Sequence, residues 1–241
     1  PYNKYCSHGI NSNILMKYFI IAGEASGDLH GANLINALRE IDSQASFIGL
    51  GGDKMRITGC RILVDFREMA FMGIVAVLQN LKKIKRNFAI AKQALIQEQP
   101  DVIILIDYPS FNLKIAKFCK NKLPLTKVVY YIPPKIWAWK KWRVHSVAKY
   151  CDKILGIFPF EPAFYAQYGY TCHYVGNPTA DYIRNVLHTP HATHHTPNPI
   201  IAILPGSRRN EIIRCVPTML RATRIVAKDK YDIHVVAAPG I

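Results

Sequence analysis

The chain has 241 residues, half of them hydrophobic, which is enough for one large folded domain or for one domain and part of a second. Its 31 lysine and arginine residues against 16 aspartate and glutamate residues give a formal net charge of +15, which favours nucleic acid, phosphorylated metabolites or an anionic membrane as partner. No stretch reaches the roughly 18 uncharged apolar residues of a membrane-spanning helix. The six cysteines form no C-x-x-C pair, which argues against a zinc site and favours buried reduced thiols in a cytosolic protein.

Short apolar runs alternate with helical patterns along most of the chain. The first strand, Lys17 to Ala22, ends at Gly23 in the turn G-E-A-S-G-D, and a helix is predicted from about Leu29 to Ile41. The next predicted elements are strands at 46–50 and 62–64, a helix at 81–98, a strand at 102–106, a helix at 113–120, a strand at 127–132, a helix at 142–148 and a strand at 153–157. This alternation predicts an α/β fold, a Rossmann-like doubly wound parallel sheet, whose ligands bind at strand ends.

The composition changes between residues 177 and 199, which contain four prolines and the histidine-rich stretch H-T-P-H-A-T-H-H-T-P. The histidines could bind a metal, but the prolines deny them a regular scaffold and favour a solvated linker. A second α/β unit then begins, with strands predicted at 200–204 and 231–237 around one helix. We therefore expect an extension outside the fold (1–15), a Rossmann-like domain (16–178), a linker (179–199) and the start of an incomplete second Rossmann-like domain (200–241).

Eight short motifs follow one another along the chain. They are G-E-A-S-G-D at 23–28, G-L-G-G-D-K-M at 49–55, M-G-I-V-A-V-L at 72–78, I-D-Y-P-S-F-N at 106–112, W-A-W at 137–139, P-F-E at 159–161, V-G-N-P at 175–178 and L-P-G-S-R at 204–208. Each is weak alone, but in this order they resemble the motifs of bacterial lipid-A-disaccharide synthases. One departure is Pro133-Pro134-Lys135, where many members have Ser-Pro, so that one serine contact is missing.

The resemblance implies an inverting GT-B glycosyltransferase, whose first domain mainly holds the acceptor and whose second mainly holds the nucleotide. The family joins UDP-2,3-diacylglucosamine to 2,3-diacylglucosamine 1-phosphate and releases UDP and lipid A disaccharide 1-phosphate. The resemblance implies neither a metal nor a cofactor, no nucleic acid partner, and a cytoplasmic protein peripheral on the inner membrane. A homodimer is a candidate assembly for a full-length protein.

Family members continue well beyond the position of Ile241, so one hypothesis is that this chain is inactive as it stands. The alternatives to the transferase are an acceptor- or membrane-binding fragment that performs no transfer, and another GT-B enzyme that acts on UDP-sugars, such as an epimerase.

Asp107 is the candidate catalytic residue, because it directly follows the buried strand V-I-I-L-I. A carboxylate there can accept a proton from the acceptor 6-hydroxyl as that oxygen attacks the anomeric carbon. Asp107 can instead cap the next helix, with Pro109 in the first turn. The residues alone leave both roles open, and the resemblance favours catalysis.

The first loop places Glu24, Ser26 and Asp28 beside a helix N-terminus, where sugar hydroxyls or a phosphate can bind. Glu24 and Ser26 are candidate substrate-binding residues, whereas the alternative for Asp28 is only to cap the helix near Leu29. The loop lacks G-x-G-x-x-G, which weakens a dinucleotide-cofactor interpretation. From its motifs the resemblance adds four substrate-binding candidates, Gly27, Met72, Asn112 and Asn177.

Arg208 lies in the turn after I-I-A-I-L, where a guanidinium can bind diphosphate and offset the charge on departing UDP. Gly206 and Ser207 would let the backbone approach phosphate. A surface arginine paired with Glu211 is the alternative. Glu161 in P-F-E either hydrogen-bonds a sugar or starts the following helix.

Two stretches favour membrane contact. Residues 69–78, M-A-F-M-G-I-V-A-V-L, precede the basic cluster K-K-I-K-R at 82–86, which suits anionic lipid and acyl chains. The segment W-A-W-K-K-W-R at 137–143 mixes indole rings with cations, as at a membrane interface. The alternative for the first stretch is a core element followed by a solvated basic helix face, and no motif supports stacking on nucleic acid.

Overall fold

The computed structural model describes residues 15–69, 79–188, 198–206, 209–228 and 230–236. Internal contacts divide the chain into two compact units, with the boundary between Arg184 and Asn185. Each unit is considered by itself below. Residues 1–14, which make up nearly all of the predicted N-terminal extension, lie outside the described residues.

The first unit is built from parallel strands joined by helices. Its strands are β1 (Lys17–Ala22), β2 (Ser46–Gly51), β3 (Arg61–Asp65), β4 (Val102–Ile106), β5 (Lys127–Tyr131), β6 (Lys153–Gly156) and β7 (His173–Tyr174). Its helices are α1 (Ala25–Ile41), α2 (Asp53–Ile57), α3 (Leu81–Glu98), α4 (Pro109–Lys122), α5 (Arg143–Tyr150), α6 (Glu161–Ala166) and α7 (Pro178–His188), the last of which crosses the unit boundary.

The sheet has the strand order β3-β2-β1-β4-β5-β6-β7, and every neighbouring pair runs parallel. The chain moves outward from β1 to β3 and then crosses back to place β4 on the other side of β1. Such a reversal of strand order opens a crevice at the carboxyl ends of the two central strands. The predicted α/β class with a Rossmann-like, doubly wound parallel sheet is confirmed.

The central strand β4 shows why V-I-I-L-I must be buried. Ile103 and Leu105 belong to the hydrophobic cluster on one face of the sheet, and Ile104 and Ile106 belong to the cluster on the other face. Successive side chains of a strand point to opposite faces, so a strand covered by helices on both sides is apolar at every position. This burial fixes the strand in the middle of the fold. The polar residue that follows it, Asp107, therefore lies at the edge of the sheet.

Two helices begin earlier than predicted. The helix expected from about Leu29 begins at Ala25, and the helix expected from Leu113 begins at Pro109. In both cases the first turn contains serine together with glycine or proline, which are also typical of loops. Packing against the sheet makes these turns helical.

The segment predicted as a linker begins within a helix. Residues 178–188 form α7, and Asn177 caps this helix because its side-chain oxygen accepts a hydrogen bond from the Thr179 amide at 3.0 Å. Pro178 is the first helical residue, where the missing N–H costs nothing. The proline that favoured a linker is therefore part of a helix start, while residues 189–197 lie outside the described residues.

The second unit contains β8 (Ile200–Ile203), α8 (Arg209–Ala227) and β9 (Asp232–Val235). The two strands pair in parallel, with Ile200 opposite Asp232, and α8 connects them. This is the β-α-β arrangement that the sequence pattern predicted for the end of the chain. Across both units, no helix among the described residues combines the length and apolar character needed to cross a lipid bilayer.

Candidate active site

The carboxyl ends of β1 and β4 bring two polar turns together at the crevice. Ala22 is the register partner of Ile106, so Gly23 and Asp107 are the residues that follow on adjacent strands. A side chain at position 23 would overlap the ring of Tyr108, which lies directly over the glycine. The loop G-E-A-S-G-D and the turn that contains Asp107 therefore form one continuous surface.

Asp107 lies in a strained turn. Its φ is +43° and that of Tyr108 is +47°, and both are in the left-handed region that costs a residue with a side chain about 1–3 kcal/mol. The Asp107 amide donates to the carbonyl of Ile132 at 3.1 Å, and Ile132 itself has a φ of +58°. A β-branched residue at positive φ is a genuine outlier. Three strained residues thus gather where β4 and β5 end.

The position of Asp107 leaves its side chain at the surface. Asp107 is exposed, and the N-cap of α4 is the next residue, Tyr108, followed by Pro109 at the first helical position. The alternative in which Asp107 occupies the N-cap of this helix therefore does not fit the structure. A carboxylate is instead presented at the crevice.

Two buried side chains hold this turn from below. Asn112 donates its Nδ2 to the carbonyls of Asp107 at 2.7 Å and Ile106 at 3.2 Å, and Tyr130 donates its hydroxyl to the Asp107 carbonyl at 2.7 Å. Neither side chain has any solvent exposure. Asn112, predicted to bind substrate, is thus enclosed beneath the turn and bonds backbone through Nδ2, while its Oδ1 has no hydrogen-bond partner among the described residues.

Tyr108 links the turn to the segment after β3. Its hydroxyl donates to the carbonyl of Met69 at 2.7 Å. Burial, and secondarily the negative charge of Glu24, raises the pKa of Tyr108, so the hydroxyl remains a donor at neutral pH. The sequence analysis missed both Tyr108 and Tyr130, since their partners are 39 and 23 residues away along the chain.

The predicted site residues of the first loop differ in their exposure to solvent. Glu24 is the N-cap of α1 in extended conformation and is half-buried, and Ser26 is exposed in the first turn. Gly27 is buried, and a Cβ there would lie 3.3 Å from Ala22 and 3.7 Å from Ile106. The small size of Gly27 thus lets α1 pack closely on the sheet, and contact of Gly27 with substrate stays a prediction.

Asp28 does not cap the helix that contains it. Its carboxylate accepts hydrogen bonds from the amides of Gly52 at 2.6 Å, Lys54 at 3.0 Å and Met55 at 3.2 Å. These N–H groups belong to the start of α2, so Asp28 caps that helix from α1. It is only 3% exposed and is therefore a structural link between the motifs at 23–28 and 49–55.

Glu161 is also turned inward. Its Oε2 accepts from the amides of Ile157 at 2.8 Å and Phe158 at 2.9 Å, and the residue is 1% exposed. Of the two roles open from the sequence, the structure favours the start of α6, with the carboxylate fixing the loop after β6. At this degree of burial the carboxylate has almost no surface that a sugar hydroxyl could contact.

The predicted nucleotide-binding turn is described only in part. Gly206 has a φ of +107°, and an added Cβ would collide with the carboxylate of Glu211. Met72, Ser207 and Arg208 lie outside the described residues. An open cleft beside Gly206 in the second unit is lined by Leu204, Pro205, Glu211, Arg214, Cys215, Thr218 and Met219.

The first unit also has two surfaces rich in exposed cations. Lys82, Lys83, Lys85 and Arg86 are exposed at the start of α3, whose first turn carries no acidic residue. Trp139 and Trp142 are 73% and 64% exposed, and Lys140 Nζ lies 4.2 Å from the centre of the Trp139 ring. Residues 70–78 of the apolar stretch lie outside the described residues, and Met69 is buried.

Potential metal ligands do not cluster in the described ranges. Among these residues there is no group of three or more histidine, cysteine, aspartate or glutamate side chains that could hold an ion. Most of the histidine-rich stretch falls within residues 189–197, outside those ranges.

Comparison with known proteins gives one family and one fold. The family model described as lipid-A-disaccharide synthetase matches residues 18–238. The lipid-A-disaccharide synthase of Trichlorobacter lovleyi is 42% identical over 214 residues, which are 87% of this chain and 55% of that protein. That of Geobacter sulfurreducens is 38% identical over 229 residues, 93% of this chain and 59% of that protein. The chain thus spans little more than half the length of these relatives.

Solved structures share the fold at low sequence identity. UDP-GlcNAc 2-epimerase from Neisseria meningitidis bound to UDP-GlcNAc has a TM-score of 0.63 at 10% identity, over 93% of this chain and 67% of that one. A putative UDP-N-acetylglucosamine 2-epimerase from Listeria monocytogenes has a TM-score of 0.61 at 11% identity, over 92% of this chain and 62% of that one. At such identities the likeness concerns architecture alone.

Proposed function

Because the chain belongs to the lipid-A-disaccharide synthetase family, we propose that it is the acceptor-binding and catalytic part of a glycosyltransferase of lipid A biosynthesis. Its substrates are UDP-2,3-diacylglucosamine and 2,3-diacylglucosamine 1-phosphate. The products are UDP and the lipid A disaccharide 1-phosphate.

The observation that supports this proposal best is the exposed carboxylate of Asp107 at the crevice between β1 and β4. In a parallel sheet the point where strand order reverses is the usual place for a ligand. Gly23, Glu24 and Ser26 follow the neighbouring strand β1, at the start of α1, and would form the wall of that crevice. An acceptor sugar bound there would have a proton acceptor within its reach.

In the proposed reaction the 6-hydroxyl oxygen of the acceptor attacks the anomeric carbon of the donor sugar. Its proton passes to the carboxylate of Asp107 as the new C–O bond forms. The bond between the anomeric carbon and UDP breaks at the same time, and its electron pair leaves with the β-phosphate. This single displacement inverts the anomeric centre and balances without a metal or redox partner.

The proposed diphosphate-binding turn belongs to the second unit. Gly206 allows close approach of backbone, and Ser207 and Arg208 supply the hydroxyl and guanidinium that offset developing negative charge. Glu24 and Ser26 would bind acceptor hydroxyls or its phosphate, and Asn177 at the start of α7 is a further candidate for substrate contact. Met72 belongs to the apolar stretch proposed to admit acyl chains.

We further propose that the protein works in the cytoplasm, docked on the inner membrane through its basic cluster and exposed tryptophans. Lys82, Lys83, Lys85 and Arg86 suit anionic lipid head groups, and Trp139 and Trp142 suit the interfacial region. Both substrates carry acyl chains, so docking would bring the crevice to them. A homodimer remains a proposal for a longer protein.

The test is transfer of label from a radiolabelled acceptor into disaccharide. We would assay this chain of 241 residues and the same residues joined to the remaining part of the Trichlorobacter lovleyi relative. Asp107→Asn should lower the rate about 100-fold or more, because the amide cannot take the proton, and asparagine tolerates the left-handed turn. The matched control is Asp101→Asn at the opposite end of β4. Its transfer rate should stay within about threefold of the unmodified chain, because loss of a carboxylate away from the crevice removes no general base.

Two results would contradict the proposal in different ways. Full activity of Asp107→Asn would remove Asp107 from the role of base while leaving the transferase standing. Absence of product from both folded forms would overturn the transferase. It would favour the second candidate function, binding of the acceptor or the membrane without transfer. This candidate is considered because the chain matches only 55–59% of the length of these relatives.

A further inference from the structure

Two buried donors from different elements converge on one carbonyl oxygen at the crevice. Tyr130 comes from β5 and Asn112 from α4, and each donates to the Asp107 carbonyl at 2.7 Å. A carbonyl oxygen has two lone pairs, so the two donors occupy its full accepting capacity. The same asparagine also bonds the Ile106 carbonyl, which ties the turn to the end of β4.

This convergence matters because the turn is not a relaxed one. Asp107 and Tyr108 have φ values of +43° and +47°, and such conformations persist only where the surroundings fix them. Relaxing the φ of Tyr108 requires rotation of the peptide group between Asp107 and Tyr108, which would swing the Asp107 carbonyl away from both donors. Relaxing the φ of Asp107 turns the preceding peptide group, whose Ile106 carbonyl accepts from Asn112 and whose Asp107 amide donates to the Ile132 carbonyl. The hydrogen bonds therefore oppose both changes.

We propose that Tyr130 is a positioning residue, assisted by Asn112, that fixes the Asp107 turn and thereby the direction in which its carboxylate meets the acceptor hydroxyl. The inference rests on the proposed role of Asp107 as general base. Tyr130 acts through the backbone and touches no substrate, since it is fully buried. That burial, and next the charge of Asp107, raises the pKa of Tyr130 well above its ordinary value, so the hydroxyl stays a donor.

The chain offers a matched control for removal of the hydroxyl. Tyr165 is likewise without solvent exposure, and its hydroxyl has no hydrogen-bond partner among the described residues. Tyr130→Phe and Tyr165→Phe therefore delete the same atom from equally buried rings. They differ in whether that atom holds the catalytic turn.

In whichever form of the protein shows transfer, Tyr130→Phe should lower kcat about 10- to 100-fold with KM within about threefold, because a small misplacement of a reacting group has effects of this size. Tyr165→Phe should leave both constants within about twofold, since its hydroxyl bonds nothing near the site. A merely structural role for Tyr130 would lower the melting temperature and leave kcat of the folded protein unchanged, which would overturn the proposal. If Tyr130→Phe does not fold, Asn112→Leu, of similar size, is expected to show the same loss of kcat.

Hydrogen exchange separates this inference from the proposed reaction. The Asp107 amide is bonded to the Ile132 carbonyl at 3.1 Å, so it reports whether the turn stays closed. Its exchange should accelerate about tenfold or more in Tyr130→Phe and not in Tyr165→Phe. Unchanged exchange in Tyr130→Phe would overturn the positioning role. A wild type without transfer activity would instead overturn the proposed function, and faster exchange would then still support the hold of Tyr130 on the turn.

Discussion

At the scale of single residues, the polar side chains near the crevice divide into those that face outward and those that hold backbone. Asp107 and Ser26 are exposed, whereas Asp28, Asn112 and Glu161 are almost fully buried and bond main-chain groups. All five lie in motifs that the sequence analysis singled out. Their residue types indicate polar turns at strand ends, but only the fold shows which of them a ligand can reach.

Cysteines show the same division between core and surface. Cys60, Cys119, Cys151 and Cys172 are buried free thiols, as expected from their scattered spacing, whereas Cys215 is exposed, contrary to that expectation. Burial is the main cause that raises the pKa of the first three to about 12 and that of Cys172 to about 11. A thiol with such a pKa holds almost no thiolate at pH 8.

We predict that iodoacetamide at pH 8 labels Cys215 in the native protein and leaves the four buried cysteines unmodified. Reactivity of the four should rise only as pH approaches their raised pKa values or as the protein unfolds, because the thiolate is the nucleophile. Peptide mapping by mass spectrometry measures this, with the same reaction in denaturant as the control. Labelling of any buried cysteine at the rate of Cys215 would contradict the prediction.

At the scale of elements, helix starts were harder to predict than strands. The apolar runs of β1 and β4 were located to the residue, because full burial requires an uninterrupted hydrophobic run. Helix α2 was missed, since it has only five residues and its cap comes from Asp28 on α1. Helix α7 was missed because Pro178 is as compatible with a linker as with a first turn.

The cap supplied by Asp28 predicts a large effect on stability. In Asp28→Ala the amides of Gly52, Lys54 and Met55 would lose their acceptor in a buried place, which should lower the free energy of unfolding by about 2–4 kcal/mol. Urea unfolding monitored by circular dichroism measures this difference.

Asp53 provides the control for that substitution on the neighbouring helix. It pairs with Arg56 and Arg67, but its side chain is 59% exposed, so Asp53→Ala should cost less than about 1 kcal/mol. Equal losses of stability from Asp28→Ala and Asp53→Ala would show that the three hydrogen bonds to Asp28 contribute little.

At the scale of the whole molecule, charge and architecture point to the same edge of the sheet. Helix α3 connects β3 to β4 and therefore starts near the carboxyl ends of the strands, where the crevice also lies. Cations at a helix N-terminus oppose the helix dipole, so the basic cluster is unfavourable for the helix itself. Binding to an anionic surface would offset that cost.

We predict that the protein sediments with vesicles of phosphatidylglycerol and phosphatidylcholine and that raised salt releases it. Lys82→Gln with Lys83→Gln should weaken binding by about 2 kcal/mol, roughly 30-fold, at about 1 kcal/mol for each lysine near an anionic surface. Lys127→Gln with Lys153→Gln is the matched control, since these exposed lysines begin β5 and β6 at the opposite edge. Equal weakening by both pairs would indicate that net charge, rather than this surface, drives binding.

The sequence by itself determined the α/β class, the order of the main strands and helices and the family, because hydrophobic runs and short motifs are local properties of the chain. It also placed Asp107 at the end of a central strand, since V-I-I-L-I leaves little choice of location. Tertiary structure alone decided that Asn112 and Glu161 face backbone, that Asp28 caps α2, and that Tyr130 reaches Asp107. The physical reason is that hydrogen-bond partners such as Tyr130 and Asp107 lie 23 residues apart in sequence and meet only when neighbouring strands pair.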